Sequence, residues 1–158
     1  MTTDTTEQLA TTRTIAASAE DIFAVLADPG QHGAIDGTGW VGAQRSAGTL
    51  HAVGDVFEMD MYHVNAGGAY VMRNQVIALD RPRTIGWLPI GQGPDGQWAP
   101  GGWIWRYDLE PVEGGTQVTL TYDWSQVPQF LRDQIPFPPF PISHLENSLA
   151  NLERLVTR

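Results

Sequence analysis

The sequence predicts an α+β domain: a curved antiparallel sheet of about six or seven strands wrapped around one long C-terminal helix, with short helices after the first strand. Three observations predict it. From residue 41 to 124 the signals are all strand and turn. Over residues 142–157, Leu145, Leu149, Leu152 and Val156 recur as one apolar stripe at helical spacing. Between these regions, GGWIWRYDLEPVEGGTQVTLTYDW (101–124) alternates so regularly that its large rings fall on one face.

The elements follow in order. Residues 1–10 read as a flexible polar leader and 11–158 as one domain. TTRTIAA (11–17) is β-branched and short, the first strand. Ser18 then precedes AEDIFAVLAD, which has acidic residues in its first turn and Ile22, Phe23, Val25 and Leu26 on one stripe. This is an N-capped helix, stopped by Asp28-Pro29-Gly30. QHGAIDGTGW is too glycine-rich for more than a short helical turn and a loop.

GDVFEMDMYHV (54–64) places Phe57, Met59, Met61 and His63 on one face and Glu58, Asp60 and Tyr62 on the other. Asn65-Ala66-Gly67-Gly68 reads as a hairpin turn. AYVMRNQVIALD (69–80) is a strand whose two faces both hold apolar residues, so which one faces inward stays open. Arg81-Pro82 turns into RTIGWL, where Ile85 and Trp87 share a face, and GQGPDGQWAPGG (91–102) is a long connection.

In the hairpin, Trp103, Trp105, Tyr107 and Leu109 share one face, and beyond the turn at 111–115 so do Val118, Leu120, Tyr122 and Trp124. Setting Leu109 opposite Val118 brings Tyr107 to Leu120, Trp105 to Tyr122 and Trp103 to Trp124. The five prolines of VPQFLRDQIPFPPFP (127–141) bar a regular helix, and Ser143 with Glu146 makes a capping-box pattern at the start of the last one.

Composition removes many functions. Apolar residues make up 42% of the chain, which is ordinary for a globular protein. The absence of Cys excludes disulfides, thiolate nucleophiles and Cys-ligated metals, and the absence of Lys excludes a Schiff-base lysine. A net charge of −9 weighs against nucleic acid and anionic membrane surfaces as partners. The N-terminus lacks a signal-peptide pattern, and no run approaches the roughly 18–20 apolar residues of a membrane span, so a cytoplasmic protein with no membrane insertion is expected. The four His show no mutual metal-ligand spacing, and no phosphate or dinucleotide fingerprint occurs; neither metal nor cofactor is expected.

Several segments in this order resemble one family: ASAEDIFAVLADPGQHGAIDGTG (17–39), VGDVFEMDM (53–61), RTIGW (83–87), WRYDLEPVEGGTQVT (105–119) and SLANLERL (148–155). The chain is identified as a member of the SRPBCC superfamily of START-like, helix-grip proteins, related to polyketide cyclase/dehydratase and the birch-pollen allergen and similar to small actinobacterial members. The resemblance implies a long apolar cavity between sheet and C-terminal helix. It implies no single chemistry.

The candidate cavity wall joins the hairpin residues Trp103, Trp105, Tyr107, Leu120, Tyr122 and Trp124 to Phe57, Met59, Met61 and Met72. Trp40, Trp87, Leu145 and Leu149 complete it. IPFPPFP (135–141) is expected to hinge or lid one end, with Phe137 and Phe140 packing sideways. An aromatic core without a ligand is the alternative.

Among polar residues, an inward His63 is the best single general acid/base, against a hydrogen-bonded core or rim histidine. His32 and Asp36 are a candidate acid/base pair at the cavity mouth, although Asp36-Gly37 is also turn chemistry. Tyr107 and Tyr122 offer hydroxyls to a ligand carbonyl. One of Arg73 and Asn74 points inward, and an outward Arg73 would pair with a neighbouring acid. His144, on the first turn of the closing helix, reads as surface. The expected function is binding of a small hydrophobic molecule, aromatic, polyketide-like or lipid-like, by a monomer or homodimer. The alternatives are a cyclase/dehydratase-type enzyme working through those acid/base groups and a protein-interaction regulator.

Overall fold

Alternating apolar residues and tight turns build one antiparallel sheet, and the computed structural model describes it through residues 7–37, 39–45, 48–63, 67–93 and 95–157. The strands are β1 (Gln8–Ile15), β2 (Val41–Gln44), β3 (Val56–His63), β4 (Gly68–Asp80), β5 (Thr84–Gln92), β6 (Trp98–Pro100), β7 (Ile104–Val112) and β8 (Gly115–Asp123). The helices are α1 (Ala19–Leu26), α2 (His32–Ile35), α3 (Gln129–Arg132) and α4 (Ser143–Val156), with a 3-10 turn at Pro29–Gln31. The sheet runs β1-β8-β7-β5-β4-β3-β2, with β6 also on β5. It is open and curved, and α4 covers its inner face as the helix-grip arrangement requires; Leu145, Leu149 and Leu152 are buried there.

The hairpin register is the one the alternation predicts: Leu109 pairs with Val118, Tyr107 with Leu120 and Trp105 with Tyr122. Ser18 caps α1 as expected, its hydroxyl accepting from the Asp21 amide at 3.1 Å. Of the expected 65–68 turn, Asn65 and Ala66 lie outside the described residues.

Three expectations need correction, and the open sidedness of residues 69–80 is resolved. The sheet has eight described strands, because Trp98–Pro100 pairs with Ile90–Gln92 inside a stretch whose Gly and Pro content reads as a plain connection. β1 begins at Gln8, inside the expected leader, because β8 offers it a partner as far as Asp123. Gln8 Nε2 donates to Asp123 at 2.7 Å, and the Trp124 amide donates to the Glu7 carbonyl.

At α4, Ser143 does not cap. Ile142 is already helical, and the Pro141 and Ile142 carbonyls accept from the amides of His144, Leu145 and Glu146, so the first turn is closed by backbone alone. The mixed sidedness of β4 has a cause: a bulge between Val76 and Ala78 inserts Ile77. Tyr70, Met72, Asn74 and Val76 face inward before it, and Leu79 faces inward after it.

Candidate functional site

Cross-strand pairing assembles the inner wall. Phe57, Met59, Met61 and His63 of β3 stand opposite Asn74, Met72, Tyr70 and Gly68 of β4. Trp87 pairs with Trp105, and Ile85 with Tyr107. Arg73 therefore faces outward; it pairs with Glu58 at 2.7 Å and lies 4.0 Å from the Trp98 ring. Asn74 is the inward one, only 6% exposed.

The rings gather into two clusters. In the first, His32 stacks on Trp87 at 4.9 Å and meets Phe57 edge-on at 5.2 Å, and Trp87 lies 6.0 Å from Tyr107. His32 Nε2 donates to the Leu26 carbonyl at 2.8 Å, closing the end of α1. Burial pushes the imidazole below its ordinary value, against weaker opposing effects of that bond and of Asp28. His32 is thus a neutral, hydrogen-bonded histidine within the core.

The second cluster centres on Phe140. Its ring stacks on Trp105 at 5.6 Å and lies 4.9 Å from Tyr122, 5.3 Å from His144 and 5.9 Å from Trp40. Trp40 meets His63 edge-on at 4.5 Å and His144 at 6.4 Å, so two histidines flank one indole. Phe137 covers Trp103 at 6.0 Å. The Pro-rich segment thus packs its two Phe sideways, and Phe140 stands among the rings expected to line a cavity.

His144 corrects the surface reading. It is half-buried, and its Nδ1 is the one buried side-chain nitrogen or oxygen among the described residues without a hydrogen-bond partner. Its placement follows from a close approach. A Cβ on Gly37 would lie 2.1 Å from the His144 carbonyl oxygen, and the Gly37 amide donates to Ser148 Oγ at 2.9 Å. Only glycine lets the loop after α2 lie this close to α4.

His32 and Asp36 do not share a partner. Asp36 Oδ2 accepts from the amides of Trp40 at 2.9 Å and Val41 at 3.2 Å, while Asn151 donates to the Ile35 carbonyl and holds the same loop to α4. The Asp36 charge reaches the hydroxyls of Tyr70 and Tyr107, adding to the burial that already pushes both up. Burial alone raises Tyr122. All three phenols therefore stay protonated donors at neutral pH. Tyr107 and Tyr122 are only 5% and 2% exposed.

This arrangement of curved sheet, covering helix and ring-lined concavity meets its counterpart in a family model described as polyketide cyclase / dehydrase and lipid transport, which matches residues 6–157. The chain belongs to this polyketide cyclase/dehydrase and lipid-transport family. No curated protein matches the sequence significantly. Solved structures share its fold. Protein Ms6760 from Mycobacterium smegmatis is 19% identical over 96% of this chain and 92% of its own, with a TM-score of 0.66. Protein NE0264 from Nitrosomonas europaea is 16% identical over 98% and 97%, with a TM-score of 0.69. The Aha1 dimer from Colwellia psychrerythraea is 22% identical over 94% and 95%, with a TM-score of 0.59. At these identities the likeness is one of fold.

In this family member, one surface depression, of about 540 Å³, is bordered by Ala34, Asn151, Arg154, Leu155 and Thr157, away from the ring clusters. Another, of about 290 Å³, is lined by Gln44, Thr49, Leu50, His51 and Asp55 and touches the first cluster only at Phe57. Sequence reasoning left Tyr70, Asn74, Phe140 and His144 out of the site. The parity of Met72, already assigned inward, carried the signal for Tyr70 and Asn74. No helix of the described residues is long and apolar enough to cross a membrane.

Proposed function

We propose that this domain binds a small hydrophobic molecule, aromatic, polyketide-like or lipid-like, between its sheet and α4. The observation that carries the reading is the inner wall: Trp, Tyr and Met side chains converge there, and beside them the His144 Nδ1 is buried without a hydrogen-bond partner. A packed core normally pairs such groups, whereas a ligand site holds a few of them ready in apolar surroundings. The family's description, which includes lipid transport, supports the same reading. The chain's net charge of −9 favours a free small molecule over a polyanion as partner.

The test is titration with 1-anilinonaphthalene-8-sulfonate, followed by dye and Trp emission. Micromolar binding is expected, and Trp105→Ala should weaken it without unfolding the domain. A native protein that binds no apolar probe, together with an unfolded Trp105→Ala, would reduce the rings to an ordinary core.

One observation favours a second reading, an enzyme of the cyclase/dehydratase type. Asp36 is held by two backbone amides with its charge felt by Tyr70 and Tyr107, which sets a fixed base beside two protonated phenols. His63, inward on β3, stands beside Trp40 at the same concavity. Turnover of a polyketide-like carbonyl substrate that falls about 10²-fold or more in Asp36→Asn or His63→Ala would favour the enzyme. Unchanged apolar affinity without turnover would leave a carrier.

A further inference from the structure

Phe140 occupies a place that does not suit it. A phenyl ring makes no hydrogen bond, yet this one lies 5.3 Å between centroids from His144, whose buried Nδ1 is unsatisfied, and 4.9 Å from Tyr122, which is 2% exposed. Its stacking on Trp105, with 23° between planes, and the nearby face of Trp40 make the space a slot for a flat ring. The flanking prolines Pro139 and Pro141 cannot donate backbone hydrogen bonds to that nitrogen.

Resting on the ligand-binding reading, we propose that Phe140 is a built-in stand-in and that its slot receives a neutral planar aromatic bearing a hydroxyl, a ligand of the phenol class, with His144 as the polar anchor. The ligand hydroxyl donates to the orphaned imidazole nitrogen, and burial keeps the neighbouring Tyr122 protonated as a further donor. An anionic head group fits worse. The chain has no Lys, and Arg13, Arg45, Arg73, Arg81, Arg106 and Arg132 are each engaged by a carboxylate elsewhere. A charge in the slot would be buried without a cation. Entry requires Phe140 to swing out on the segment between α3 and α4, whose Ile135 and Ile142 are already 39% and 37% exposed.

The experiment compares 1-naphthol with naphthalene by calorimetric or fluorescence titration of the wild type, Phe140→Ala and the Phe140→Ala/His144→Leu double variant. Near-UV circular dichroism checks that each is folded. Naphthalene leaves water more readily, so any preference for naphthol comes from a polar contact.

Phe140→Ala should bind 1-naphthol about tenfold more tightly than the wild type and prefer it to naphthalene by about tenfold, the worth of one net hydrogen bond. The double variant should lose that preference while keeping its naphthalene affinity. If both compounds bind but the preference survives His144→Leu, or if Phe140→Ala binds no better than the wild type, the slot is overturned while the hydrophobic-ligand reading stands. If neither compound binds any variant, both fall. Should the alanine variant not fold, Phe140→Val opens less of the slot and is read by the same criteria.

Discussion

The two ring clusters use the same kinds of side chain and differ in one respect. Around His32, the imidazole has a hydrogen-bond partner at 2.8 Å, and the rings of Trp87 and Phe57 pack on it. Around Phe140, the buried His144 Nδ1 has none. Burial and aromatic content alone would rank the clusters alike. Polar satisfaction separates them, because an unpaired buried donor or acceptor costs free energy that evolution accepts where another molecule supplies the partner. The histidine of the first cluster is satisfied; that of the second leaves one buried nitrogen unpaired.

Truncation gives the largest expected difference. Phe57 is 2% exposed and Phe140 6%, so area alone predicts similar losses. Phe57→Ala should cost about 3–5 kcal/mol, the usual range for a buried ring. Phe140→Ala should cost only about 1–2 kcal/mol, since opening the slot lets water reach the unsatisfied His144 Nδ1. Urea denaturation measures both, and equal losses would erase the distinction.

A pH effect comes next. His32 is held neutral by burial, with its folded pKa below the ordinary value of about 6.5. Below about pH 6.5 the unfolded chain binds a proton that the folded chain refuses. Stability should therefore be complete above that pH and fall as pH drops toward the folded pKa. The melting temperature should fall between about pH 7.5 and 5, and His32→Phe, which keeps a ring on Trp87, should flatten the slope. A slope unchanged in the variant would remove His32 from the core account.

The smallest effect is also a change of sign. His144→Leu should stabilise by about 1 kcal/mol, because it removes an orphaned nitrogen, whereas His32→Leu should destabilise by about 1–3 kcal/mol by stranding the Leu26 carbonyl. Two losses of similar size would contradict the contrast.

Much of the fold was legible. Strict alternation in the 101–124 hairpin set its register, and the Leu stripe gave α4 its full 14 residues. What escaped was tertiary in origin. β1 extends to Gln8 because β8 is there to pair with it, and β6 forms because β5 outruns β7, against a local Gly/Pro composition that says loop. The Ile77 bulge changes the inward parity of β4, which no periodicity within one strand announces.

Of the candidate site, the rings and methionines were readable from parity. The decisive features were not. His144 is buried by a loop that crosses at Gly37 and by a Phe arriving on an irregular segment, neither of which its own helix encodes. Phe140 was readable as a side-packing lid residue, but its place among the cavity rings depends on where that segment lands.

The most direct measurement follows the side-chain indole N–H signals of Trp40, Trp87 and Trp105 in a ¹H–¹⁵N spectrum while 1-naphthol is added. The account predicts that Trp40 and Trp105, which face Phe140, shift in proportion to saturation while Trp87, stacked on His32, stays nearly still. Equal movement of Trp87, or saturation with Trp40 and Trp105 unmoved, would contradict it.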